Sequence, residues 1–153
     1  MYPQIASQDV VSFDKYGISS DLKVAKLLQH FSRNLITKTI TAGTTGVTVT
    51  EYVFVSPCKL QVTAVQALVI VPPTGSGNTP TVNVVDTSGN VAATGVIALS
   101  LANNALVNLP VSSTLANVIF NTGDIIVVNV INPTATITTP AQVRCQIEWE
   151  SVA

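Results

Sequence analysis

The sequence predicts an all-β fold, an antiparallel β-sandwich or jelly roll of about eight strands, preceded by an N-terminal arm with a short helix. From Ile40 onward, Val, Thr, Ile, Ala and Asn are interrupted by Gly and Pro, a composition typical of short strands and turns. Helical spacing of apolar residues is confined to the preceding part of the chain. A parallel α/β sheet needs helices between its strands and is therefore excluded.

We assign residues 1–38 to the arm and residues 39–153 to the β-sandwich domain. Within the arm, Ser20–Asn34 places apolar residues three and four positions apart, which predicts a short amphipathic helix. Such a helix packs either on the domain's own sheet or on a partner. The chain length of 153 residues suits one domain with its own core, which needs neither a metal nor a disulfide to fold.

Short apolar runs follow one another through the rest of the chain, and turn sequences rich in Gly, Pro, Asn and Ser separate them. The predicted strands are Thr45–Val55, Leu60–Val71, Thr81–Asp86, Val91–Leu99, Ala105–Val111, Val118–Phe120, Ile125–Ile131 and Ala141–Glu150. The last of them alternates apolar and polar residues, so one face is expected to be buried and the other to meet water.

Two of these strands, Leu60–Val71 and Ile125–Ile131, are apolar on both faces. Their second faces need a cover, because an antiparallel sheet normally buries only one. The cover is the N-terminal helix, the proline-rich loops, or the same strands of neighbouring copies around a symmetry axis. We favour an oligomer, in particular a trimer. The predicted interface residues are Ile126, Val128, Val130, Val69 and Val71.

Overall composition also favours contact with other protein. Charged residues make up 10% of the chain and hydrophobic residues 47%, with a mean hydropathy of +0.48, so the chain has little charge with which to cover its surface. No apolar run is long enough to span a membrane, and the N-terminus lacks the features of a secretory signal. We expect a soluble chain made in the cytoplasm, with Cys58 and Cys145 as free thiols.

The residues that catalysis requires are scarce, and we expect no enzyme activity. His30 is the only histidine and lies in the predicted helix beside Phe31, where helix packing explains it. Glu148 and Glu150 share the outward face of one strand. Neither a metal-binding spacing nor a phosphate-binding loop occurs, so no cofactor is expected. Tyr52 and Phe54 are predicted to share a face and are the candidates for a sugar-binding platform.

The charge distribution gives little indication of nucleic-acid binding. Residues 1–38 hold five Lys and Arg against three Asp, a net charge of +2, and the rest of the chain carries −3. The arm has no dense basic run with interleaved aromatic residues, so no direct contact with nucleic acid is expected. A small positive excess fits an acidic protein surface equally well.

The chain resembles the capsid decoration, or cement, proteins of tailed bacteriophages, which have a jelly-roll or β-tulip domain. The resemblance lies in the arm followed by KLQVTAVQALVIVPPTGSGNTPTVNVVDTSGN, the strand NTGDIIVVNV and the terminal QVRCQIEWE. It implies a structural protein of the virion that sits on the capsid exterior as a trimer and binds the major capsid protein. It also implies that the arm reaches over neighbouring capsid subunits, with Lys15, Lys23, Lys26 and Arg33 as contact residues.

The alternative to a structural role is a binding function. The same type of domain also serves as a carbohydrate-binding or receptor-binding module of a phage fibre or tail, and exposed Tyr52 and Phe54 are the feature that favours it.

Overall fold

The computed structural model describes residues 34–43, 45–76, 79–132 and 137–152, which belong to a compact unit that begins at Asn34. Strands and one helical turn make up this part of the chain. They are β1 (Asn34–Thr41), β2 (Thr48–Val55), β3 (Leu60–Val71), β4 (Thr74–Gly75), β5 (Thr81–Val85), β6 (Val91–Val96), β7 (Ala105–Leu109), α1 (Leu115–Val118), β8 (Ile119–Phe120), β9 (Ile125–Ile131), β10 (Ile137–Thr139) and β11 (Gln142–Ser151).

The longer strands form two antiparallel sheets that face each other, as the sequence predicts, and the short strands β4 and β10 pair in a separate two-stranded sheet. One sheet has the order β1-β11-β3-β7, with β8 added beside β3, and the other has the order β2-β9-β5-β6. If the short strands β4, β8 and β10 are set aside, the pairing is nested. The first strand pairs with the last, the second with the seventh, the third with the sixth and the fourth with the fifth. This nested antiparallel pairing is a jelly roll.

The sandwich is closed along the side where β6 and β7 meet. Ala93 forms an antiparallel bridge with Val111, and the amide of Ser112 donates to the carbonyl of Ala92 at 2.8 Å. Gly95 makes this approach possible, because a Cβ there would lie 2.9 Å from Cγ of Leu109. The missing side chain therefore lets the two sheets join.

The opposite side, between β1 and β2, is open. Lys38 of β1 and Glu51 of β2 both point inward, opposite the buried Cys145 and Val128 on their neighbouring strands. Their side chains reach each other across the gap, with Nζ 3.2 Å from Oε2. Inward charges at an edge discourage a further strand from adding there.

Small aliphatic side chains from both sheets fill the core, together with Phe120. Four of the predicted interface residues, Ile126, Val128, Val130 and Val69, belong to this core and are fully buried within a single chain. They are not available to a second copy, so that assignment was wrong. Val71 is half-buried. Both rows of Ile125–Ile131 are apolar, and the alternation alone does not reveal which row faces inward.

Other sequence predictions fall into three groups. The strands predicted at Leu60–Val71 and Ile125–Ile131 have the observed bounds, and the remaining ones differ at their ends. β1 was missed, since it includes residues assigned to the arm, and so were β4 and β10. The predicted helix lies outside the described residues except for Asn34, which begins β1. Also outside them are His30 and the predicted arm contacts Lys15, Lys23, Lys26 and Arg33.

Candidate contact surface

The outer face of the sheet β2-β9-β5-β6 carries no charged side chain, and we call it the neutral face. The register places its residues on the side opposite the core row Ile126, Val128 and Val130. Its members are Thr48, Thr50, Tyr52 and Val55 of β2, Ile125, Val127, Asn129 and Ile131 of β9, Thr81, Asn83 and Val85 of β5, and Val91, Thr94 and Val96 of β6.

Large apolar groups on this face remain open to solvent. Tyr52 is 67% exposed, Val55 58% and Val96 52%. Val127 and Val85 lie at the centre of the face and are buried by their neighbours on it. An apolar surface of this kind, without charge, is typical of a surface that contacts protein.

A single polar row crosses the middle of the neutral face. It runs from Thr50 through Asn129 and Asn83 to Thr94, one residue from each strand. The hydroxyl of Thr94 donates to Oδ1 of Asn83 at 2.6 Å. Oδ1 of Asn129 is buried and has no hydrogen-bond partner among the described residues. A buried carbonyl oxygen without a donor is unusual, so the row has hydrogen-bonding capacity that the chain does not use.

A shallow depression of about 230 Å³ lies beside this row. Val85 and Val127 line it with aliphatic side chains, and Asn129 adds a polar one. The exposed Tyr52 borders it. Asp86 stands at the rim, in the turn that joins β5 to β6. The depression therefore combines one aromatic ring, aliphatic contacts and several polar groups, a mixture found in ligand sites and protein contacts alike.

The Asp86 carboxylate is engaged within its own turn. Its Oδ1 accepts the amides of Ser88 and Asn90, each at 2.8 Å, and Oδ2 accepts the side-chain amide of Asn90 at 2.7 Å. Partial burial raises the pKa of Asp86, but the hydrogen bonds from Asn90, Ser88 and Gly89 outweigh it and leave the pKa below its usual value. Asp86 thus organises the turn through Asx-type hydrogen bonds.

The outer face of the other sheet is different in chemistry. Its side chains include Arg144 and Glu148 on β11 and an amide pair, in which Nε2 of Gln66 donates to Oδ1 of Asn108 at 2.9 Å. Nε of Arg144 lies 3.4 Å from the hydroxyl oxygen of Thr39. This face, which we call the polar face, carries charge beside the exposed Leu35 and Leu106, whereas the neutral face carries no charge.

Tyr52 and Phe54 do not form the platform that the sequence predicts. The register of β2 against β9 shifts between these two residues, so an irregularity at Val53 sends them to opposite sides of the sheet. Tyr52 points outward, whereas Phe54 packs on the core with its ring centroid 5.8 Å from that of Trp149. Tyr52 alone remains as an exposed aromatic group on this strand.

Sequence reasoning missed the neutral face because it chose the wrong row of β9. One indication was present, since Asn129 shares a row with Ile125, Val127 and Ile131. A polar amide belongs more often to the solvent-facing row of a strand than to the core row. That residue identifies the outward row without knowledge of the fold.

The described residues offer little to other kinds of site. No group of three His, Cys, Asp or Glu side chains within them is arranged to hold a metal ion, and they contain no helix long and apolar enough to cross a membrane. Both cysteines are free, as expected. Burial in the core raises the pKa of Cys145 to about 12, so its thiol is inert at neutral pH.

Comparison with known proteins gives a likeness in fold. No protein-family model matches the chain, and no curated protein matches its sequence. A chain of the cyanophage Pam1 capsid asymmetric unit is similar, with a TM-score of 0.53 and 14% identity over 79% of this chain and 86% of that one. At this identity the likeness shows the fold alone, a jelly roll also found in a viral capsid.

A weaker likeness involves a chain from the structure of infectious bursal disease virus Gt strain. It has a TM-score of 0.34 and 11% identity, and it covers 78% of this chain and 33% of that one. A similarity at this level carries no argument about fold or function.

Proposed function

We propose that this chain is a structural virion protein that binds the outer surface of a phage capsid as an oligomer, with a trimer favoured, and stabilises the shell. The role is mechanical and involves neither catalysis nor a cofactor. Its partners are the major capsid protein and further copies of the chain.

The neutral face is the observation that carries this proposal. A jelly roll leaves the outer faces of both sheets to solvent, and here one of them is apolar and uncharged, with Tyr52, Val55 and Val96 exposed. Exposure of such a face to water is unfavourable, whereas contact with another protein surface removes the face from solvent. The fold shared with a chain of the cyanophage Pam1 capsid is consistent with a place in a virion.

The arm supplies the second part of the proposal. Lys38 belongs to β1, and the preceding residues 1–33 hold four Lys and Arg against three Asp, a net charge of +1, which an acidic capsid exterior attracts. In the proposed complex, Lys15, Lys23, Lys26 and Arg33 contact neighbouring capsid subunits. Each contact is weak, and an oligomer with several arms binds far more tightly than one chain alone.

Cosedimentation of the purified protein with undecorated, expanded capsids tests this role. We expect saturable binding that weakens as salt rises, and a variant with Lys15, Lys23, Lys26 and Arg33 changed to Gln should bind less and lose most of that salt dependence. The matched control changes the basic residues of the β domain, Lys59→Gln and Arg144→Gln, and should bind as the natural protein does. Absence of binding by the natural protein contradicts the proposal.

A carbohydrate-binding or receptor-binding module of a phage fibre or tail is the second candidate. The depression beside Tyr52 favours it, because an exposed aromatic ring beside the polar residues Thr50 and Asn129 matches the mixed character of a sugar. Glycan-array binding by the full chain, abolished in Tyr52→Ala, would support this function over the first.

A further inference from the structure

We propose that the neutral face is the surface through which copies of this chain contact one another. The inference rests on the oligomeric virion protein proposed above and names the surface that makes the oligomer, in which the neutral faces of the copies meet around the symmetry axis. It replaces the core residues that the sequence pattern assigned to this contact.

The absence of charge on the neutral face restricts what can cover it. A partner that buries a charged side chain against this face finds no counter-charge there, and an unpaired buried charge is strongly unfavourable. The polar face, with Arg144 and Glu148, is therefore a poor match. Among the surfaces described for this chain, the neutral face of a second copy is an uncharged and extended match.

The polar row of the neutral face is able to complement itself. Asn and Thr side chains both donate and accept hydrogen bonds, so the row Thr50, Asn129, Asn83 and Thr94 of one copy can meet the same row of another. An apolar partner would leave much of this hydrogen-bonding capacity unused.

The edges of the sandwich do not offer an equivalent contact. The inward pair Lys38 and Glu51 places charge at the side between β1 and β2, and the hydrogen bond from Ser112 to Ala92 helps to close the side between β6 and β7. Association therefore takes place through a face rather than by adding a strand.

Sedimentation velocity and light scattering on the full chain test the inference. The test variant places two charges on the neutral face, Tyr52→Glu with Val96→Glu, at side chains that are 67% and 52% exposed. The matched control is Leu35→Glu with Leu106→Glu, which are 52% and 56% exposed and lie on the two edge strands of the other sheet. We expect the natural protein and the control to be oligomers and the test variant to be a monomer.

A second variant, Thr50→Arg, keeps the test valid if the double variant fails to fold, since Thr50 is an exposed position on an edge strand. It should weaken association by about tenfold or more, because it buries an unpaired charge. A natural protein that is monomeric at high concentration, or a Thr50→Arg oligomer as stable as the natural one, overturns the inference. Saccharide binding by a monomer through Tyr52 also overturns it and assigns the depression to a glycan.

Capsid binding, measured in parallel, separates this inference from the proposed function. A monomeric natural protein that still binds capsids contradicts the contact between copies and leaves the virion role intact. An oligomer that depends on the neutral face but binds no capsid contradicts the virion role and leaves the contact between copies intact.

Discussion

Lys38 and Glu51 connect the two sheets across the open side of the sandwich, with Nζ and Oε2 3.2 Å apart. Both side chains are inward in register but remain partly exposed, at 42% and 38%. An ion pair this accessible to water contributes at most about 1 kcal/mol to folding. Its main effect is to keep charge at an otherwise unprotected pair of strand edges.

Replacing both charges should therefore change self-association more than stability. We expect Lys38→Val with Glu51→Val to alter the free energy of unfolding by less than about 1 kcal/mol in urea, while light scattering on heating increases. Thr37→Val adds an aliphatic group to β1 without removing charge and should not promote aggregation. A double variant as resistant to aggregation as the natural protein would show that this pair does not protect the edge.

The contact between Phe54 and Trp149 should be a measurable part of the stability. Phe54→Ala removes an aromatic ring that packs on the core, and we expect the free energy of unfolding to fall by about 2–3 kcal/mol. Trp149 is the only tryptophan and reports its own surroundings by fluorescence during urea unfolding. The outward neighbour provides the control, since Tyr52→Ala should cost about 0.5 kcal/mol or less in the monomer. Equal losses would contradict the opposite orientations of the two rings.

The join between β6 and β7 should tolerate no side chain at Gly95. Gly95→Ala places a Cβ 2.9 Å from Cγ and 3.4 Å from Cα of Leu109, and we expect a loss of about 1–3 kcal/mol in unfolding free energy. In a Leu109→Ala background the same change should cost much less, because the shortened side chain leaves room. A double-mutant cycle measures this coupling, and additive effects would show that the steric account is incorrect.

The two thiols should differ in reactivity because burial raises the pKa of Cys145 to about 12. At about pH 8, a thiol reagent should modify Cys58 in the native protein and leave Cys145 unmodified, since the thiolate is the reactive form. Both thiols should react in denaturant. Cys58→Ser should abolish native labelling, and labelling of Cys145 before unfolding would contradict its place in the core.

Asp86 should give the turn between β5 and β6 a pH-dependent contribution to stability. Its pKa in the folded chain is below the ordinary value of 3.8, so its carboxylate stabilises the fold above that value and less so as the pH falls through the folded pKa. We expect Asp86→Ala to lower the melting temperature by about 2–5 °C at neutral pH, and the difference from the natural protein to narrow in acid. Thr87→Ala, in the same turn, should show no such pH dependence.

Regular alternation made part of the fold predictable. β11 alternates apolar and polar residues, and its buried row Val143, Cys145 and Ile147 is the predicted one. In β9 both rows are mainly apolar, and Asn129 is the one residue that marks the outward row, so a prediction made from the aliphatic residues alone assigned the wrong row to the surface. β1 was missed because Lys38 occupies an inward position that is tolerated only at the open edge.

The candidate surface was harder to predict than the strands. The neutral face takes its residues from β2, β9, β5 and β6, which are distant in sequence, and the strand order that assembles them comes from long-range pairing. The irregularity at Val53 is equally invisible in the sequence, where Tyr52 and Phe54 have the spacing of one face. The local sequence pattern thus predicts where the strands lie, whereas long-range strand pairing decides which side chains share a face.

Nested pairing also imposes an order on synthesis. β1 is made early but is hydrogen-bonded to β11, as in the contact between Thr41 and Gln142, 101 residues apart in the chain. The first strand of the domain therefore lacks its hydrogen-bonding neighbour until β11 has been synthesised. Closing so long a loop is entropically costly, so the docking of β1 onto β11 is a late and slow step of folding.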